Sequence, residues 1–179
     1  MTGLATPSQT IGPFFSFGFA WLETTELAPA GDDDAVLIVG QVFDGDGIGV
    51  PDAVLEVYQA DGDGRFGPDT EPSWGGFGRI LTSATGAYEF STVKPGRVHS
   101  ADGNLAAPHI DVSVFARGLL QRVITRIYFP DESAANGADH VFSGVDPARR
   151  ATLVAHPQGA GLRFDIHLQG DTETVFFNC

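Results

Sequence analysis

An all-β sandwich is the fold class this sequence predicts, and three observations carry that expectation. Short runs rich in Val, Ile, Thr, Tyr and Phe recur from Val36 onward: Val36 to Phe43, Val54 to Gln59, Arg79 to Thr82, Ala87 to Val93, His109 to Phe115, Val123 to Phe129 and Leu162 to Leu168. Gly, Pro and Asp clusters separate them, as turns between strands require. Within the last run, Leu162, Phe164, Ile166 and Leu168 fall on one face and Arg163, Asp165 and His167 on the other. That period of two is the signature of a strand with one buried face.

The elements divide into an N-terminal arm over residues 1–35 and a sandwich domain over 36–179. The arm is rich in Pro, Gly and small residues around an aromatic cluster of Phe14, Phe15, Phe17, Phe19 and Trp21, without a clean helical or strand period. Such a cluster needs an apolar surface to lie against, either its own sandwich or a partner subunit. One short helix is expected near Asp146 to Arg150, where Asp146 can cap and Pro147 take the first helical position.

At 179 residues the chain is long enough to bury a core without disulfides or structural metal. Twenty-three acidic against ten basic residues give a formal net charge of −13, which disfavours phosphate backbones and anionic membranes as partners. The single cysteine, Cys179, has no partner in the chain, and no apolar run is long enough to span a bilayer. A cytoplasmic protein is the expectation.

Two runs imitate calcium loops and fail the test of spacing. In Asp44-Gly45-Asp46-Gly47 the fifth and twelfth positions are Ile48 and Leu55, and in Asp61-Gly62-Asp63-Gly64 they are Arg65 and Pro72. A calcium loop needs oxygen donors at both. Turns requiring positive φ are the expectation instead. His109 and Asp111, two apart on a strand, project to one face. With His156 or His167 they would compose the two-His, one-carboxylate triad of ferrous oxygenases. Arg126 lies on the strand face opposite Val123, Thr125, Ile127 and Phe129, where its fork could hold a carboxylate bidentately or form a structural salt bridge.

The segments Gly64-Arg65-Phe66, Lys94-Pro95-Gly96-Arg97-Val98 and Pro108-His109-Ile110-Asp111 resemble the intradiol ring-cleaving dioxygenases. The resemblance continues through the opening Thr6-Pro7-Ser8-Gln9-Thr10-Ile11-Gly12-Pro13-Phe14, Gly40-Gln41-Val42, Tyr58-Gln59-Ala60-Asp61, Phe115-Ala116-Arg117-Gly118, Thr125 to Phe129, Arg163 to Ile166 and Glu173 to Phe177. It implies an intradiol-like β-sandwich with an extended N-terminal arm. The family's ferric ion takes two Tyr and two His, whose positions fall here on Phe66, Val98, His109 and Asp111, and the Arg that stabilises its anionic intermediates falls on Ala106.

The resemblance therefore implies no metal and no catalytic residue in this chain alone. It implies the role of an α subunit, inactive by itself, that completes the active site of a β subunit carrying the ferric iron. Substrate contacts implied for this chain are Arg126 with Thr10, Gly12 and Pro13 of the opening loop, reaching into the β subunit's pocket. The reaction implied is cleavage of 3,4-dihydroxybenzoate by O2 to 3-carboxy-cis,cis-muconate. A self-sufficient ferrous oxygenase built on His109 and Asp111, and a non-catalytic binding module, are the alternative expectations.

Overall fold

The computed structural model describes residues 7–12, 14–29, 31–67, 74–99 and 103–178. Among the described residues, nine strands form two sheets: β1 Ala35–Phe43, β2 Val54–Tyr58, β3 Phe77–Leu81, β4 Ala87–Val93, β5 His109–Phe115, β6 Val123–Tyr128, β7 His156–Gln158, β8 Gly161–Arg163 and β9 Ile166–His167. One sheet runs β4-β1-β8-β7, with β9 also on β1, and the other runs β3-β2-β5-β6. The sandwich expected from the sequence is present.

Alternation along each strand delivers the core. Ile38 and Val42 of β1, Phe90 of β4, Phe164 and Ile166 face Leu55, Val57, Ile80, Ile110, Val112, Val114 and Ile127, all buried in one cluster. The final run behaves as expected at its side chains but is not one continuous strand. β8 pairs with β1 at Ile38↔Leu162 and β9 pairs with it at Val42↔Ile166, both parallel, and between them Asp165 turns its carboxylate to the Gln41 amide instead of extending the ladder. Gly40 is required nearby, because a Cβ there would collide with the Phe164 carbonyl oxygen.

The expected helix is corrected. Asp146 Oδ1 accepts from the Ala148 amide, but this closes a turn and caps no helix: the helical segment beyond it is a 3-10 turn over Arg150–Leu153, with Arg149 at its N-cap. Helices occur elsewhere: α1 Phe14–Phe19, α2 Ser133–Ala138 and α3 His140–Gly144.

The arm is partly built onto its own sandwich. Thr24 exchanges both backbone hydrogen bonds with Arg79, the Leu27 amide donates to Ser91, and Leu27 is buried in the core. In α1, Phe15 packs on Phe115 at 5.4 Å between ring centroids. Phe14, Phe17 and Trp21 point outward, 81, 78 and 80% exposed. Pro13 and Cys179 lie outside the described residues. Among the described residues, no helix is long and apolar enough to cross a membrane.

Candidate functional site

A tight turn leads into the site's outer wall at Phe66. At the end of β2 the Asp61 carboxylate accepts from the amides of Asp63 and Arg65, at 3.0 and 2.8 Å, and Gly64 takes φ +79°. The Asp44 turn repeats this pattern, with Asp46 and Ile48 as donors and Gly47 at φ +74°. Both calcium-like runs are thus hairpin-type turns that need a left-handed glycine.

Gly64 has a second duty, since a Cβ on it would collide with the Arg97 carbonyl oxygen. Backbone meets backbone there, and the Gly96 amide donates to the Asp61 carbonyl at 2.8 Å. This close approach sets Phe66 beside Val98. Lys94 ties the second loop to the 3-10 turn Pro130–Glu132 through Asp131 and Glu132, at 2.7 and 2.6 Å.

The inner wall comes from the β5–β6 hairpin. Its register places Asp111 opposite Arg126 and His109 opposite Tyr128. A cavity of about 450 Å³ opens there, lined by Phe66, Val98, Ala106, His109, Asp111 and Arg126, with Asn104 and the start of α3 closing it. All four positions that the resemblance assigns to metal ligands therefore converge on one cavity.

Their chemistry does not fit a ferric ion. Phe66 and Val98 carry no donor atom. Asp111 is engaged by Arg126, whose Nε donates to Oδ1 at 2.9 Å. The His109 Nδ1 lies 2.7 Å from the Ala107 carbonyl oxygen, and a carbonyl only accepts, so Nδ1 carries the proton and Nε2 is bare in the neutral ring. Its Nε2 stands 3.8 Å from Asp111 Oδ1, beyond hydrogen-bond reach. Burial holds the His109 imidazole below its ordinary pKa, with the Arg126 charge adding to the effect.

Behind the cavity, buried Asp139 organises the structure. Its Oδ2 accepts from the Ala107 amide at 2.8 Å, and its Oδ1 accepts from the Phe142 amide at 2.9 Å, capping α3, and from the Tyr128 hydroxyl at 3.3 Å. Burial raises the Tyr128 phenol well above its ordinary value, so it stays protonated. Arg126 Nη1 lies 3.5 Å from that hydroxyl. A polar chain thus runs Asp139–Tyr128–Arg126–Asp111 from the core to the cavity. Asp139 and His140 escaped the sequence reading, although Asp139 stands where an N-cap belongs, directly ahead of α3.

The other expected groupings separate. His156 and His167 line a different recess with Arg163 and Asp165, so neither completes a triad with His109 and Asp111. Among the described residues, no three His, Cys, Asp or Glu side chains are placed to share a metal. Thr10 accepts a hydrogen bond at Oγ1 from the Gly118 amide at 2.8 Å. Gly118 lies in the turn of the β5–β6 hairpin, whereas Arg126 pairs with Asp111 three rungs beyond Val114↔Val123. Within one chain, Thr10 and Arg126 do not meet.

A sequence model of the dioxygenase family matches residues 11–170. The chain is 44% identical to the protocatechuate 3,4-dioxygenase alpha chain of Burkholderia cepacia, over 97% of this chain and 96% of that one. This chain belongs to the intradiol dioxygenase family. The beta chain from the same organism is also similar, 30% identical over 79% of this chain and 67% of its own length. Among solved structures of the family's fold, the dioxygenase domain of a carbohydrate-binding fusion protein from Streptomyces sp. SirexAA-E aligns with a TM-score of 0.64 and 25% identity. That alignment covers 83% of this chain and 88% of the other.

Proposed function

We propose that this chain is the iron-free α subunit of a protocatechuate 3,4-dioxygenase, pairing in the cytoplasm with a β subunit that holds the ferric iron. The observation that carries the reading is the cavity itself: the four positions that the resemblance assigns to ligands are assembled there, yet beside the His109 imidazole they present an aromatic ring, an isopropyl group and a carboxylate already bound to Arg126. Similarity to alpha chains over nearly the full length supports the same role.

When bound by the β subunit, the ferric iron supplies activation of the catecholate toward O2. The holoenzyme inserts both oxygen atoms into the ring of 3,4-dihydroxybenzoate and opens it between the hydroxylated carbons to 3-carboxy-cis,cis-muconate. This chain contributes surface and charge. Thr10, Gly12 and Pro13 on the arm extend to the pocket held by the β subunit, and residues 1–35 form much of the contact between the subunits. The outward Phe14, Phe17 and Trp21 support that contact, since an exposed aromatic patch marks an interaction surface. Arg126 is the cation that meets the substrate carboxylate, with the end of its guanidinium turned away from Asp111.

Co-expression with an iron-bearing β chain tests the reading. Oxygen uptake and ring opening with 3,4-dihydroxybenzoate are expected from the complex and not from this chain alone. Equal turnover by the isolated chain would overturn it.

A further inference from the structure

We propose that Thr10 is a positioning residue, which fastens the opening loop to the β5–β6 hairpin and so holds the backbone of Gly12 in place for the iron-bearing pocket of the β subunit. The inference rests on the proposed function for the pocket that Gly12 meets. The fastening itself is read from this chain alone.

Two contacts hold the loop, one on each side of Gly12. Before it, Thr10 Oγ1 accepts from the Gly118 amide at 2.8 Å, in the turn that follows β5. After it, the Phe15 ring lies against that of Phe115, the last residue of β5, with centroids 5.4 Å apart. The Phe15 amide also donates to the Gly12 carbonyl at 3.1 Å, which closes the loop into α1. Both contacts land on the same end of one hairpin, with Gly12 between them.

That end is tied down in turn. Arg117 donates through Nε and Nη2 to the two carboxylate oxygens of Asp52, at 3.2 and 3.0 Å, in the connection between β1 and β2. Ala116 beside it is buried in the core. A hydroxyl that accepts an amide proton from such a turn limits where its own loop can move. Order imposed before binding spares the cost of ordering on binding.

Gly12 is exposed, and a Cβ placed on it would meet nothing of this chain within 4 Å. Its φ lies outside the left-handed region, so its own fold does not require a glycine there. A bare backbone held at an outward point leaves room for what approaches from another subunit. In the assembled enzyme that is the substrate pocket, and Thr10 acts on it through Gly12.

The test compares Thr10→Val, which keeps the shape and removes the acceptor, with Thr10→Ser, which keeps the acceptor. Hydrogen–deuterium exchange on the full chain reads the fastening without turnover. The Gly118 amide should exchange about fivefold or more faster in Thr10→Val, the usual worth of one net hydrogen bond, and at the native rate in Thr10→Ser. In the complex, Thr10→Val should raise KM for 3,4-dihydroxybenzoate about fivefold or more while lowering kcat much less, because a loosened wall weakens binding rather than chemistry. Thr10→Ser should recover the native KM. Gly12→Ala should raise KM at least as much, with the urea midpoint of the full chain unchanged.

Equal exchange of the Gly118 amide in the native chain and in Thr10→Val would overturn the proposal. So would a native KM in Thr10→Val or in Gly12→Ala, or a loss in Thr10→Ser as large as in Thr10→Val. A native complex without turnover of 3,4-dihydroxybenzoate would refute the proposed function instead, and the exchange rates on the full chain would still decide the fastening.

Discussion

Arg126 and Asp111 face each other across the β5–β6 ladder, Nε to Oδ1 at 2.9 Å, in the cavity where the family places its metal. The position that the resemblance assigns to an iron ligand instead neutralises a cation. The pair is half in solvent, with side chains 22 and 40% exposed, so its contribution to stability is small. Its consequence is positional.

Arg126→Ala in the assembled enzyme should therefore impair use of 3,4-dihydroxybenzoate far more than use of unsubstituted catechol. A charge-assisted hydrogen bond to a carboxylate is worth roughly 1.5–3 kcal/mol, or about ten- to a hundredfold in kcat/KM. Steady-state kinetics on both substrates checks this, with the iron content expected to stay constant. Equal losses on the two substrates would make Arg126 structural.

Asp139→Ala should be the most destabilising change near the cavity. It removes the cap of α3 and strands the buried Ala107 amide. An N-cap is worth about 0.5–2 kcal/mol and a stranded buried donor about 1–3. A loss of roughly 2–4 kcal/mol in urea unfolding is expected, with Asp139→Asn milder.

Stability should fall on mild acidification because of His109. Its folded pKa lies below the ordinary 6.5, so above 6.5 both folded and unfolded imidazoles are neutral. As the pH drops below 6.5 the unfolded ring takes up a proton that the folded ring resists, and stability declines until the pH passes the folded pKa. Denaturation midpoints at pH 7 and 5.5 should differ more in the native chain than in His109→Gln.

Restoring donors should restore metal. The triple variant Phe66→Tyr, Val98→Tyr, Asp111→His places two phenolates and a second imidazole around the cavity, and should bind ferric ion with a visible tyrosinate-to-iron band. Asp111→His alone should not, because two positions still lack donors. Ala106 leaves the triple variant without the family's intermediate-stabilising Arg, so no ring cleavage is expected from it.

How much of the fold and the cavity was legible in the sequence varied with the kind of signal. Alternation in Val36 to Phe43 and Ala87 to Val93 located β1 and β4 to within a residue, because burial of one face writes itself into the residue pattern. The break at Phe164–Asp165 was hidden, since the side chains still alternate while the backbone partner changes. Helices α2 and α3 were missed because Ser-Ala-Ala-Asn-Gly-Ala and His-Val-Phe-Ser-Gly are too short for an apolar stripe to show. The convergence of Phe66, Val98, His109 and Asp111 was expected only through the family resemblance; local pattern could not bring residues so far apart together. The Asp111–Arg126 pair depends on hairpin register, and the alternative triad failed because His156 and His167 belong to the other sheet.

The most direct test of the central claim is the location of iron in the purified complex. The two chains should be separated by mass under native conditions and each assayed for metal. The account predicts close to one iron for each β chain and none on this chain. Stoichiometric, tightly held iron on this chain, freed of its partner, would contradict it.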